Sequence, residues 1–238
     1  MQVTIDRVWK HYGVHNVSVS LDPGECLAVV GINGAGKSTL MRCLAGLLTA
    51  ERGRILYDGE VLTRRRLDLR EQLLLIPDSP PVNANQVVID YLRDVLKAYK
   101  RWQPGVKSKV LHYLNQFQLV EFLYHPFLEL SRGQVYKVAL TALLVIRPEL
   151  WLLDEPFASG MDAMGMEVLH REVCLACEQQ STVIFTTQIL EIAQKVASRI
   201  AILHQGRLEA VGTMEQLREE SHCSGSLLEI IRALTTPV

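Results

Sequence analysis

The apolar positions of this chain keep two periods. In Val3, Ile5 and Val8, and again in Val17, Val19 and Leu21, apolar residues alternate with polar ones, with a turn expected around Tyr12 and Gly13. A period of two is that of a strand with one buried face, so this stretch predicts antiparallel strands. Cys26 to Val30 then runs apolar without interruption, as expected of a strand covered on both faces. A glycine-rich turn follows, and a helix is expected from about Lys37 to Leu48. Arg54 to Leu62 reads as a hairpin turning on Asp58 and Gly59, and Leu73 to Ile76 as a short strand ending at Pro77.

Between Asn85 and Ile146 the period becomes helical. Val88, Tyr91, Leu92, Val95 and Tyr99 recur at spacings of three and four, as do Val110, Leu114 and Phe117. Strand character returns at Leu150 to Leu153, Thr182 to Phe185 and Ile200 to Leu203, with helices expected near Asp162 to Gln179 and Ile189 to Ala197. Strands alternating with helices predict an α/β core. The expected organisation is a single domain over 1–238, with a core and an antiparallel β subdomain in 1–84 and 147–238 and a helical subdomain inserted at 85–146.

Composition narrows the function classes. A chain of 238 residues, 48% hydrophobic and 21% charged, is ordinary globular material. Its formal charge of -1 supplies no field that would draw in a polyanion, so no nucleic-acid partner is expected. The run Arg64, Arg65, Arg66 reads as a solvated hairpin face. Met1 to Trp9 has no charged segment followed by an apolar one, and Val138 to Ile146 falls well short of the ~20 residues that span a bilayer. A cytoplasmic protein is expected, with any membrane role peripheral. Five scattered cysteines suit reduced thiols, with Cys174 and Cys177 expected as small core residues.

The chemistry is concentrated in a few stretches. "GINGAGKST", Gly31 to Thr39, matches the phosphate-binding P-loop pattern through Gly31, Gly36, Lys37 and Ser38, and it stands between a buried strand and a helix. Backbone amides of Asn33, Gly34, Ala35 and Gly36 and the helix N-terminus would cradle phosphates. Lys37 would reach the terminal ones, Ser38 would offer a hydroxyl to Mg2+, and Thr39 follows it. "LWLLDEP" ends an apolar strand in Asp154, which can hold Mg2+ through water. Glu155 then stands where it can orient or deprotonate an attacking water. An N-cap and a first-turn acid are the plainer reading of that pair. In "LSRGQVYKVAL", Ser131 reads as an N-cap, and Gly133 would let an anion approach the helix start.

A P-loop, a helical insert, this Ser131 segment and the strand ending in Asp154 and Glu155 together resemble the ATP-binding subunit of ABC transporters, whose signature reads LSGGQ. The resemblance covers nearly the whole chain and implies a P-loop NTPase core that binds ATP and Mg2+. It implies that Tyr12 stacks on adenine, although an ordinary edge-strand aromatic stays open. It places Asp78, in "LIPDSPP", where the family has a glutamine that contacts metal or water and touches the membrane domain. Ser131, Gly133 and Gln134 match the signature, with Arg132 in place of its first glycine. "FASGMD" resembles the D-loop, one residue longer than the common pattern. "GSLLEIIRALT" looks like the closing helix of one-domain exporter subunits.

"VIFTTQILE" ends a strand where the family has a histidine that contacts the γ-phosphate, and here the residue is Gln188. A glutamine amide can position a phosphate or a water but cannot become cationic or relay a proton. The family implies two subunits sandwiching two ATP molecules, with hydrolysis driving an integral membrane permease. Two other readings stay open: a nucleotide-binding partner of a heterodimer that does not turn over, and a soluble ATPase of the same type acting on nucleic acid or ribosomes.

Overall fold

The computed structural model describes residues 1–63, 66–158 and 160–235, so Arg64 and Arg65 of the basic run lie outside the described residues. The alternating N-terminal stretch forms β1 (Val3–Lys10) and β2 (Val14–Leu21), which pair antiparallel. The unbroken apolar run is β3 (Cys26–Val30), followed by α1 (Lys37–Leu44) and the hairpin of β4 (Arg52–Tyr57) and β5 (Glu60–Val61). One helical turn, α2 (Leu67–Arg70), precedes β6 (Leu73–Ile76). Then come α3 (Val88–Ala98), α4 (Val106–Gln116) and α5 (Arg132–Ile146). The last third alternates β7 (Leu150–Leu153), α6 (Ala163–Glu178), β8 (Thr182–Thr187), α7 (Leu190–Val196) and β9 (Arg199–His204). It closes with β10 (Arg207–Gly212), α8 (Met214–Glu220) and α9 (Leu227–Thr235).

Among the described residues the strands make two sheets, one in the order β2-β1-β4-β5 and one in the order β10-β9-β3-β8-β7-β6. The first is antiparallel. In the second, β9, β3, β8, β7 and β6 run parallel and only the edge strand β10 is reversed. This is the mixed α/β fold that the alternation of elements predicts.

The buried strands sort their side chains by the period of two. Cys26, Ala28 and Val30 of β3, Trp151 and Leu153 of β7, and Val183 and Phe185 of β8 enter one hydrophobic cluster with α3, α4, α5 and α6. Leu27 and Val29, Leu150 and Leu152, and Ile184 enter the other, with β1, β2 and α1. The six-stranded sheet is therefore the wall between two cores, which is why β3, β6 and β7 are apolar on both faces.

Three local expectations need correction. The helix after the P-loop stops at Leu44 rather than Leu48, because Gly46 turns left-handed at φ 66 and the amides of Leu47 and Leu48 return to the Arg42 carbonyl. Cys174 is exposed on α6 rather than packed in the core. β10 and α8 were not expected at all. The hydroxyl of Thr213 and the side chain of Gln216 form a capping box that starts α8.

Trp151 is the largest fully buried side chain, and its indole N–H donates to the Pro148 carbonyl at 2.9 Å. Trp151→Ala should lower unfolding free energy by about 3–5 kcal/mol, the range for emptying a large aromatic from a packed core, as read from urea unfolding curves.

Candidate active site

Parallel strands ending together bring distant segments to one edge of the sheet. Val30 of β3 stands opposite Thr187 of β8, and Leu153 of β7 opposite Phe185. The residues that follow these strands, Gly31 onward, Asp154 with Glu155, and Gln188, are thereby neighbours. Such a carboxyl edge is where open α/β sheets bind ligands.

The loop after β3 is held by its glycines. Gly36 caps α1 in the left-handed conformation at φ 104, and a Cβ there would lie 1.6 Å from the Gly13 carbonyl oxygen. Only glycine fits, and the contact seats the turn between β1 and β2 against the loop. Tyr12 is thus carried to the rim, where it is 79% exposed with its ring edge-on to His11 at 4.6 Å. From the far side, the Gly206 amide donates to the Ala35 carbonyl at 2.9 Å.

Lys37, the first residue of α1, has a side chain only 6% exposed. Its ammonium donates to the carbonyls of Gly31 at 2.8 Å and Ile32 at 3.3 Å, and lies 3.2 Å from Oε1 of Glu155. Gln188 reaches the same carboxylate: its Nε2 donates to Asn33 Oδ1 at 2.9 Å and to Glu155 Oε1 at 3.4 Å. The P-loop lysine and the residue after β8 thus converge on one acid, and the loop residue Asn33 holds Gln188 beside it.

Asp154 is buried, with its amide on the Ile76 carbonyl of β6 and its own carbonyl accepting from the Tyr136 hydroxyl at 3.3 Å. Thr186 of β8 ties the two acids together. Its hydroxyl donates to Asp154 Oδ1 at 2.7 Å and accepts from the Glu155 amide at 2.8 Å. Glu155 needs that support because it is left-handed at φ 49, a conformation costing of order 1–3 kcal/mol for a residue with a side chain. Burial pushes the Tyr136 hydroxyl well above its ordinary range, helped by the charges of Asp154, Asp78 and Glu155, so it stays a neutral donor.

Asp78 follows β6 and faces Arg132, whose Nη2 lies 2.5 Å from Asp78 Oδ2. With side chains 41% and 58% exposed, a pair of this kind contributes roughly 0.2–1 kcal/mol. Tyr12, Asn33 through Thr39, Asp78, Arg132, Glu155 and Gln188 line one cavity of about 640 Å³, within the roughly 300–1,000 Å³ usual for small-molecule sites.

Of the signature segment only Arg132 lines this cavity; Ser131, Gly133 and Gln134 lie outside it. Ser131 caps α5 in a reciprocal box: its hydroxyl accepts the Gln134 amide at 3.3 Å while Gln134 Oε1 accepts the Ser131 amide at 2.8 Å. Gly133 is pressed against the D-loop, since a Cβ there would lie 2.2 Å from the Gly160 carbonyl. On the next turn, Lys137 reaches Asp162 Oδ2 at 2.7 Å; that bond, followed by the Gly165 amide, holds the Asp162 carboxyl below its usual range. Gly31 and Asp154 also stand behind the cavity wall rather than on it.

Among the described residues no cluster of three or more His, Cys, Asp or Glu could hold a metal. The oxygen donors of Ser38, Asp78 and Asp154 suit Mg2+, which is bound through one or two side chains, waters and substrate phosphates rather than a protein cage. Sequence reasoning missed Gly13, Thr186 and the pairing of Arg132 with Asp78. Of these only Thr186 left a signal, as half of a threonine doublet ending an apolar strand.

Residues 14–158 match the family described as ABC transporter. A similar protein is the energy-coupling factor transporter ATP-binding protein EcfA1 of Geobacillus kaustophilus, 35% identical over 213 residues, covering 87% of this chain and 74% of the relative. Another is the cytochrome c biogenesis ATP-binding export protein CcmA of Escherichia coli, 35% identical over 191 residues, covering 80% and 89%. A solved ATP binding subunit of an ABC transporter superimposes with a TM-score of 0.92 at 27% identity, covering 99% of this chain and 100% of that one.

Thr186→Val keeps the shape of the side chain and removes the hydroxyl shared by Asp154 and Glu155. Two buried polar groups lose a partner, so thermal or urea unfolding should show a loss of about 1–3 kcal/mol; an unchanged midpoint would mean that the hydroxyl does not support the acids.

Proposed function

The chain belongs to the ABC transporter family as an ATP-binding subunit, and from that premise we propose that it hydrolyses ATP and powers an integral membrane permease as one half of a dimer. The observation that carries the proposal is the convergence of Lys37 and of Gln188, itself held by Asn33, on Glu155 in the cavity at the N-terminus of α1. Tyr12 takes the adenine at the rim, and the amides from Asn33 to Gly36 with the start of α1 take the phosphates. Lys37 then exchanges its loop carbonyls for phosphate oxygens. Glu155 is the base that orients and deprotonates the attacking water, and Gln188 positions that carboxylate and the terminal phosphate by donating from its amide.

Ser38 would hold Mg2+ directly and Asp154 and Asp78 through water. When bound, the ion neutralises charge on the terminal phosphates. Because Ser131, Gly133 and Gln134 do not line this chain's own cavity, the helix start they form is available to a second chain's nucleotide. That arrangement supports the sandwich in which ATP joins two copies and its hydrolysis releases them. Export is the direction we propose from the closing helix α9; the relatives include import as well as export proteins. The helical segment 85–146 and the loop after Asp78 form the docking surface for the permease, at the inner face of the membrane.

A second reading, a partner subunit that binds nucleotide without turnover, is favoured by Gln188 and Asp78 together. Phosphate release by the purified chain separates the two. Glu155→Gln should leave ATP affinity unchanged, lower turnover by roughly 100- to 10,000-fold, and accumulate an ATP-bound dimer in sedimentation; monomers at saturating ATP would count against the sandwich. Gln188→His should raise turnover by less than that factor, because Glu155 is already present. A histidine form no faster than the parent would show that Gln188 does not limit the rate.

A further inference from the structure

Asp78 and Arg132 are two positions at which the site departs from the family pattern, and the fold makes them partners. They stand 54 positions apart, one following the edge strand β6, the other opening α5. Both line the cavity that contains Lys37, Ser38 and Glu155. Tyr136 of α5, one turn after Arg132, donates its hydroxyl to the Asp154 carbonyl, so the start of α5 is tied to the strand end that carries Glu155. Tyr12 marks the rim of the site instead.

We infer that Arg132 is a second cationic contact for the terminal phosphate in this chain's own nucleotide pocket, held on Asp78 until a nucleoside triphosphate takes it over. The inference rests on the nucleotide reading above. A guanidinium presents five donors in a planar fork, so it can leave a carboxylate for a phosphate without losing its hydrogen bonds. Its hold on Asp78 is weak enough to exchange, since water screens both half-exposed side chains. A terminal phosphate carries more charge than a carboxylate and competes for the same donors.

The capping box of Ser131 and Gln134 fixes the backbone of Arg132 in the first turn of α5, so the exchange proceeds by rotation of the side chain into the cavity it lines. The consequence is selectivity. A diphosphate lacks the group that Arg132 reaches, so this residue should raise affinity for triphosphate over diphosphate while contributing little to diphosphate binding.

The test is equilibrium binding of ADP and of a non-hydrolysable ATP analogue to the full chain, at concentrations where sedimentation shows monomers. Arg132→Gly should weaken the triphosphate analogue by about tenfold, as expected for losing a charge-assisted hydrogen bond, and leave ADP affinity within about twofold. Arg132→Lys should recover part of the loss. With Mg2+ withheld, so that any metal contact of Asp78 plays no part, Asp78→Asn, which releases the guanidinium, should tighten the analogue while the thermal midpoint reports that the fold is intact. An unchanged ratio of the two affinities in Arg132→Gly overturns the inference, as does a loss that develops only where dimers form, which would assign Arg132 to the partner's nucleotide. If the parent chain binds neither nucleotide, the nucleotide reading itself fails, an outcome distinct from an unchanged ratio.

Discussion

The site depends on the register of three parallel strands. Leu152 of β7 stands opposite Ile184 of β8, and one step of two further along places Asp154 beside Thr186 on the same face of the sheet, the face that also packs α1. A slip of one residue would send the Thr186 hydroxyl to the opposite core and leave both acids without it. The alternate burial of Val183, Ile184 and Phe185 in two separate hydrophobic clusters forbids that slip. Hydrophobic packing therefore sets the position of a hydroxyl, and the hydroxyl sets the position of two carboxylates.

Charge at the site follows a similar economy. Three acids near the cavity are matched to cations on other elements: Glu155 to Lys37, Asp78 to Arg132, and on the neighbouring loop Asp162 to Lys137. The two pairs that line the cavity differ in depth. Lys37 and Glu155 are nearly buried, so their attraction is screened little by salt, whereas Asp78 and Arg132 face water. The two cations at the cavity therefore differ, one fixed by the P-loop carbonyls and the other paired with Asp78 at the water-facing side.

Much of this was legible in the sequence because the chemistry is contiguous. Gly31 to Thr39, Asp154 with Glu155, and Ser131 with Gln134 are each read from a few adjacent residues, and unbroken apolar runs marked the buried strands. What escaped depends on contacts between segments. Nothing near Gly13 announces that Gly36 will need its neighbour to be a turn with no side chain in the way. Arg132 and Asp78 each looked like a separate departure from the family pattern, and only folding shows that their charges answer each other. Gln188 could be placed by its strand, but its bonds to Asn33 and Glu155 could not.

The central claim is that this cavity grips a polyphosphate through Lys37 while Glu155 stands against the same ammonium. Equilibrium binding of ATP to Lys37→Ala tests it most directly. The account predicts a loss of affinity of about ten- to a hundredfold with the fold intact by thermal unfolding, the effect of removing a charged hydrogen-bond donor from a phosphate. ATP affinity equal to that of the parent chain would contradict it.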